Sequence, residues 1–267
     1  MAVRTREGDA PRPGGAREEA PDLAHPLHLF LLVGQSNMAG APAPGDEDRV
    51  EHPRVEVLAY ADSPGRREGS WYPALPPLHC DGCGVGPGDW FGRTLAVALP
   101  NARIGLVPCA IAGVDVDFFR KGVISERRAE FRIPPDDHWS GAYDWVIARA
   151  RRAQERGTVR GILFSQGESD SGDPAWVDKV AEIIRDLRAD LRLGNVPFVA
   201  AELLHGGACE AHNALVRELP ARIPNAHVVS AEGLAGEDRF HFGLEAQREL
   251  GRRFARCWLE LGDAARR

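Results

Sequence analysis

Apolar residues gather in short runs along this chain. His28 to Val33 (HLFLLV) ends at Gly34, and similar runs cover Val55 to Tyr60, Ile104 to Ile111, Val159 to Ser165 and Val196 to Leu203. Runs of that length, bounded by Gly and polar residues, predict buried strands. They do not alternate cleanly, and continuous apolar strands are what a parallel sheet covered on both faces requires.

Between the runs the pattern changes to helical spacing. Asp89 to Leu99 follows Gly86-Pro87-Gly88. Ala142 to Arg156 sets Trp145, Val146, Ala148 and Ala150 among Arg and Glu. Pro174 to Leu191 begins with a Pro, has Asp173 as N-cap candidate, and spaces Val177, Val180, Ile183, Ile184 and Leu187 along one face. Glu245 to Leu261 is the last helix. Strands alternating with helices predict an α/β fold, a parallel sheet with helices on both faces.

Two stretches fit neither pattern. Residues 61–88 are rich in Pro, Gly and Trp, and Asp117 to Ser140 holds Phe118, Phe119, Phe131 and Trp139. Connections of that length are usually functional or structured on their own account. They either wall a binding site or pack as surface excursions. Residues 1–26 are rich in Arg, Glu, Pro, Gly and Ala, with no apolar segment of the signal-peptide kind. They read as a disordered leader, which leaves 27–267 as one domain and a cytoplasmic location as the expectation.

Composition narrows the function. Hydrophobic residues make up 43% of 267, enough for one sizeable core. The net charge is −6 with no basic tract, which argues against nucleic acid as a partner. No stretch approaches ~18 consecutive apolar residues, so no membrane span is expected. The five cysteines include Cys80-x-x-Cys83. With no second pair at ligand spacing, an inert loop pair is preferred over a zinc site or a redox or disulfide pair. Neither metal nor cofactor is expected. The oligomeric state is left open.

Chemistry concentrates at strand ends. Gly34-Gln35-Ser36-Asn37-Met38-Ala39-Gly40 follows the first strand, where open parallel sheets bind ligands. A lone Ser there is more often a turn residue or helix cap. Partners change its weight. Asp238-Arg239-Phe240-His241 offers an imidazole to activate the hydroxyl and a carboxylate to orient the imidazole. With nine histidines and 39 acidic residues such a pair also arises by chance, and the G-x-S-x-G elbow is absent. Ile111-Ala112-Gly113 could bring a backbone N–H to an oxyanion, and Gln166 in Ser165-Gln166-Gly167-Glu168-Ser169-Asp170 offers a side-chain donor, although a buried Gln often serves structure alone.

These segments together resemble the SGNH hydrolase superfamily, and more narrowly carbohydrate esterase family 6, of the sialic-acid acetylesterase and acetylxylan esterase type. The resemblance rests on GQSNMAG (34–40), GVGPG (84–88), PCAIAG (108–113), SQGESD (165–170) and DRFH (238–241), in family order across about residues 27–262. It implies a three-layer α/β/α sandwich, flavodoxin-like, with a central five-stranded parallel sheet. It implies Ser36 as nucleophile, His241 as base, and an oxyanion hole from the Ser36 N–H, the Gly113 N–H and the Gln166 side chain. Asp238 is the expected triad acid, with Glu168 as the alternative. Two positions depart from the family pattern: Ala112-Gly113-Val114 stands where Gly-Gly-Thr/Ser is usual, and Ser165 where His or Tyr often precedes the Gln. The expected activity is removal of O-acetyl groups from a carbohydrate through an acyl-enzyme. A lipid or aryl esterase on the same fold and a non-catalytic carbohydrate-binding protein are the competing readings.

Overall fold

The computed structural model describes residues 25–125 and 141–264. The expected leader lies almost wholly outside the described residues, as do Phe131 and Trp139. β1 (Leu27–Gly34) is the centre of the sheet. Successive side chains on it point to opposite faces. Leu29, Leu31 and Val33 enter one core with Trp145, Val146, Val180 and Ile184. Phe30 and Leu32 enter the other with Phe91, Leu95, Leu250 and Phe254. A strand with two buried faces explains why the run is continuous.

Those contacts place the helices. α3 (Ala142–Gln154) and α4 (Trp176–Asp190) cover the first face. α2 (Pro87–Ala98) and α5 (Leu244–Ala264) cover the second. The result is the three-layer α/β/α sandwich that the sequence predicts. Phe30 anchors the second interface, meeting Phe91 edge-on at 4.8 Å and Trp258 at 5.2 Å. Pairs of this geometry each add about 0.5–1.5 kcal/mol beyond buried area.

The sheet has seven strands rather than five. β2 (Val55–Leu58), β4 (Arg103–Ala110), β5 (Thr158–Ser165) and β6 (Phe198–Ala201) match predicted runs. β3 (Trp71–Pro73) and β7 (Ala226–Val229) are additional. The order is β3-β2-β4-β1-β5-β6-β7, with all pairs parallel except the edge pair β2–β3. β3 comes from the Pro-rich stretch, and β7 is an edge strand whose middle residues, His227 and Val228, are only half-buried, so no distinct apolar run marks it. After β1 the chain moves to one side for β2 and β3, returns to β4 beside β1, and then crosses to the other side for β5, β6 and β7, so the direction of winding reverses at β1. Ligand sites in open α/β sheets lie at such switch points, beyond the carboxyl ends of the strands.

Phe118 and Phe119 are fully buried in the first core and wall no site. Residues 61–88 are structured by β3 and by a Cys80–Cys83 disulfide. That bond corrects the reading of these two cysteines as an inert pair. Among the described residues no helix is long and apolar enough to cross a membrane.

Charged groups join α2 to α5. Asp48 is fully buried and accepts bonds from Arg248, Trp90 Nε1 and the Gly45 N–H. Burial pushes its pKa up, but these donors outweigh it and the net shift is downward. Asp89, also buried, shifts the other way. Burial raises it to about 6 against the pull of Arg93. An unfolded Asp titrates near ~3.9, so between about pH 4 and 6 the native state binds more protons than the unfolded chain. Asp89 therefore costs stability as pH rises through that window, and the cost stays constant above it. Thermal melts from pH 4 to 7 should show Asp89→Asn losing that component, with about 5 °C less relative decline than the parent. Parallel pH profiles for the two proteins would contradict the assignment.

Candidate active site

β1 ends against β5. Gly34 has φ 143°, and a Cβ there would lie 2.0 Å from the Ser165 carbonyl oxygen. Only Gly fits this crossing. The next N–H, of Gln35, donates to that same Ser165 oxygen at 2.9 Å. The chain then turns into a short helix, α1 (Ser36–Ala39). Within residues 31–40 all are buried except Ser36, which is partly exposed. Residues 84 and 85 brace this turn, with the Gly84 N–H on the Gly40 oxygen and the Val85 N–H on the Pro42 oxygen, both at 2.8 Å.

Ser36 meets the predicted partners. His241 Nε2 lies 3.0 Å from Ser36 Oγ, and His241 Nδ1 lies 2.8 Å from Asp238 Oδ2. Asp238 Oδ1 also accepts the backbone N–H of Phe240 at 2.6 Å and of His241 at 2.7 Å. The bond from His241, followed by these two N–H groups, lowers the Asp238 pKa to about 2. An ionised Asp only accepts, so Nδ1 carries the proton and Nε2 is left to accept from the serine hydroxyl. This is the geometry of a nucleophile, a base and an orienting carboxylate.

Glu168 occupies a different position. Its Oε1 accepts from Asn37 Nδ2, and its Oε2 is buried with no partner among the described residues. Burial raises its pKa, against the lowering effect of the Asn37 bond. His241 Nδ1 is paired to Asp238, so Glu168 does not take the orienting carboxylate's place in this arrangement.

The oxyanion donors divide. The Ser36 N–H opens α1, and no acceptor among the described residues takes it. Gly113 follows β4 with φ 77°, and its carbonyl accepts from Ser169 Oγ at 2.9 Å. Gln166 departs from expectation. Its Nε2 donates to Asp170 Oδ2 and, at 3.2 Å, to Gln35 Oε1, while its Oε1 accepts from Trp176 Nε1 at 2.6 Å. The Trp176 bond fixes which end of the amide is which. With both hydrogens engaged and 1% of the residue exposed, Gln166 braces the floor of the site instead of pointing a donor at the serine.

Several polar residues of this floor carried no signal as single letters. Gln35 Oε1 accepts from Gln166 and from the N–H groups of Gly167 and Ser169. Asp170 also accepts the Val116 N–H, and burial lifts its pKa to about 6. Asn37, fully buried, joins Glu168, Phe240 and Phe242. Their positions inside the GQSN and QGESD motifs were the available clue.

Comparison with known proteins gives the family of the chain. The sequence model for carbohydrate esterase, sialic acid-specific acetylesterase, matches residues 26–260. A probable carbohydrate esterase from Arabidopsis thaliana is 30% identical over 278 residues, covering 95% of this chain and 98% of its own. An X-ray structure of an Arabidopsis thaliana protein superposes with a TM-score of 0.70 at 28% identity, spanning 88% of this chain and 98% of that one. NanS superposes with a TM-score of 0.69 at 19% identity, over 90% and 99% of the two chains. A carbohydrate acetylesterase from Xanthomonas citri gives 0.63 at 17% identity, over 85% of this chain and 55% of its own. At those lower identities the likeness is one of fold. The match across residues 26–260, with the plant relative, makes this chain a carboxylic ester hydrolase of the sialic acid-specific acetylesterase family of carbohydrate esterases.

Proposed function

We propose that this protein removes O-acetyl groups from a carbohydrate by a serine mechanism with an acetyl-enzyme intermediate. The observation that carries the reading is the Ser36–His241–Asp238 relay, at 3.0 and 2.8 Å, on a chain of carbohydrate esterase family. Ser36 Oγ attacks the acetyl carbonyl while His241 Nε2 takes its proton. Asp238 stabilises the imidazolium through Nδ1–H. The N–H groups of Ser36 and Gly113 hold the tetrahedral oxyanion. Collapse breaks the ester C–O bond, and His241 protonates the departing sugar alkoxide. Water, activated by His241, then attacks the acetyl-enzyme and releases acetate. No step draws on a metal or cofactor.

Acetate release from a panel of acetylated sugars tests the reading. Turnover of at least one sugar acetate is expected, with kcat falling roughly 10⁴-fold or more in Ser36→Ala. Hydrolysis confined to aryl or lipid esters would replace the carbohydrate assignment. Full activity in Ser36→Ala would remove the serine mechanism.

The acid and the oxyanion donors have their own variants. Asp238→Asn should lower kcat by about 10²–10⁴, because the wrong imidazole tautomer is favoured. Glu168→Gln should cost far less, and the reverse ranking would exchange their roles. Gln166→Ala should lower the melting temperature more than it lowers kcat per folded enzyme. A loss of roughly 10²–10³ in kcat with unchanged stability would restore Gln166 to the oxyanion hole.

A further inference from the structure

We propose that Asn37 is the residue that positions His241 against Ser36, and that Glu168, whose charge also acts on His241 directly, contributes to that positioning through Asn37. The inference rests on the serine mechanism above and goes beyond it. A general base must hold its nitrogen within about 2.6–3.2 Å of the proton it takes. Here the base and the nucleophile stand 205 positions apart in sequence. Asp238 cannot fix their distance, because it sits on the same loop as His241 and moves with it. Its side chain is also half exposed. A single Ser–His hydrogen bond, exchanged for bonds to water, adds little net hold.

Asn37 supplies the missing tie. It is the residue next to Ser36, and it is fully buried. Its Nδ2 donates to the carbonyl of Phe240 at 2.9 Å, and its Oδ1 accepts the N–H of Phe242 at 3.1 Å. One amide therefore grips the backbone on both sides of His241. Other bonds shape the loop from within or from beneath: Glu237 N–H to the His241 oxygen and Ala208 N–H to the Arg239 oxygen, each 2.8 Å. Neither reaches the serine segment. The Asn37 bonds connect the nucleophile turn directly to the base, in a buried setting where hydrogen bonds are stronger and costly to break.

The chemistry calls for an amide. The side chain must donate to a carbonyl and accept from an N–H at once, with a second hydrogen to place. Glu168 Oε1 takes that second hydrogen. Gln247 Nε2 steadies the same residue by donating to its backbone oxygen at 3.1 Å. Glu168 makes no hydrogen bond to His241, whose Nδ1 belongs to Asp238. The carboxylate thus orients the amide, and the amide orients the base.

The test compares Asn37→Ala, Glu168→Ala, Glu168→Gln and the double alanine variant. Four quantities are read on the folded proteins: kcat and KM on an acetate ester the parent hydrolyses, the labelling rate of Ser36 by an organophosphate, and the melting temperature. Asn37→Ala should lower kcat and the labelling rate by a similar factor, about 10², with little change in KM. Labelling needs the base but no sugar, so a residue that merely stabilises the fold would leave it unchanged. Glu168→Ala should show a smaller fall of the same kind, and Glu168→Gln, which retains an acceptor, should recover most of it. The double variant should be only slightly slower than Asn37→Ala alone, since the two positioning losses act through one contact and only the direct charge effect of Glu168 on His241 is left to add.

Unchanged kcat and labelling in folded Asn37→Ala would overturn the proposal. A further large loss on adding Glu168→Ala would overturn the part given to Glu168. If Asn37→Ala does not fold, Glu168→Ala carries the test by itself, because it removes one partner of the amide and leaves the two loop bonds available. An unchanged labelling rate there would count against the proposal. A parent protein that neither labels nor hydrolyses any ester marks failure of the serine mechanism instead.

Discussion

The crossing of β1 and β5 at Gly34 is the constraint from which the site is built. A side chain at position 34 would strike the Ser165 carbonyl, so the two strands close together at their carboxyl ends. That closeness lets the Gln35 N–H reach the Ser165 oxygen, and lets the Gln35 side chain collect three donors from residues 166–169. Two loops from neighbouring strands become one rigid floor. Ser36 is the part of that floor left partly open, next to the loop carrying His241.

A floor made of buried amides and carboxyls is costly. Glu168 and Asp170 both have pKa values raised by burial, and one Glu168 oxygen lacks a partner among the described residues. Apolar residues of similar size would serve folding better. What the polar version supplies is direction. Each amide has a distinct donor end and acceptor end, and Trp176 reads one end of Gln166 while Asp170 reads the other. Shape-filling side chains carry no such polarity. A site that must hold a serine and an imidazole at hydrogen-bond distance benefits from supports that permit one orientation.

The large elements were legible because burial on two faces leaves a visible mark. β1, β4 and β5 are predominantly apolar runs, and α4 repeats apolar residues at helical spacing. β3 and β7 left no such mark, since three or four residues at the sheet margins need little apolar content. Ser36, His241 and Asp238 stand out from motif order, and the structure brings His241 within hydrogen-bond distance of the other two side chains. Gln166 shows the limit of that reasoning. Its motif position is right for a donor, but the direction of its amide depends on Trp176 and Asp170, which no pattern of letters relates to it. Asn37 was hidden for the same reason, because its partners at 240 and 242 are backbone atoms.

The central claim is that Ser36 becomes covalently acylated under the control of His241. Intact-mass analysis after exposure to a serine-directed organophosphate tests it most directly, with peptide mapping of the adduct and competition by an acetylated sugar. The account predicts one adduct per chain, located on Ser36, slowed by the sugar acetate and strongly reduced in His241→Ala. An active enzyme that takes up no adduct, or carries it on another residue, would contradict it.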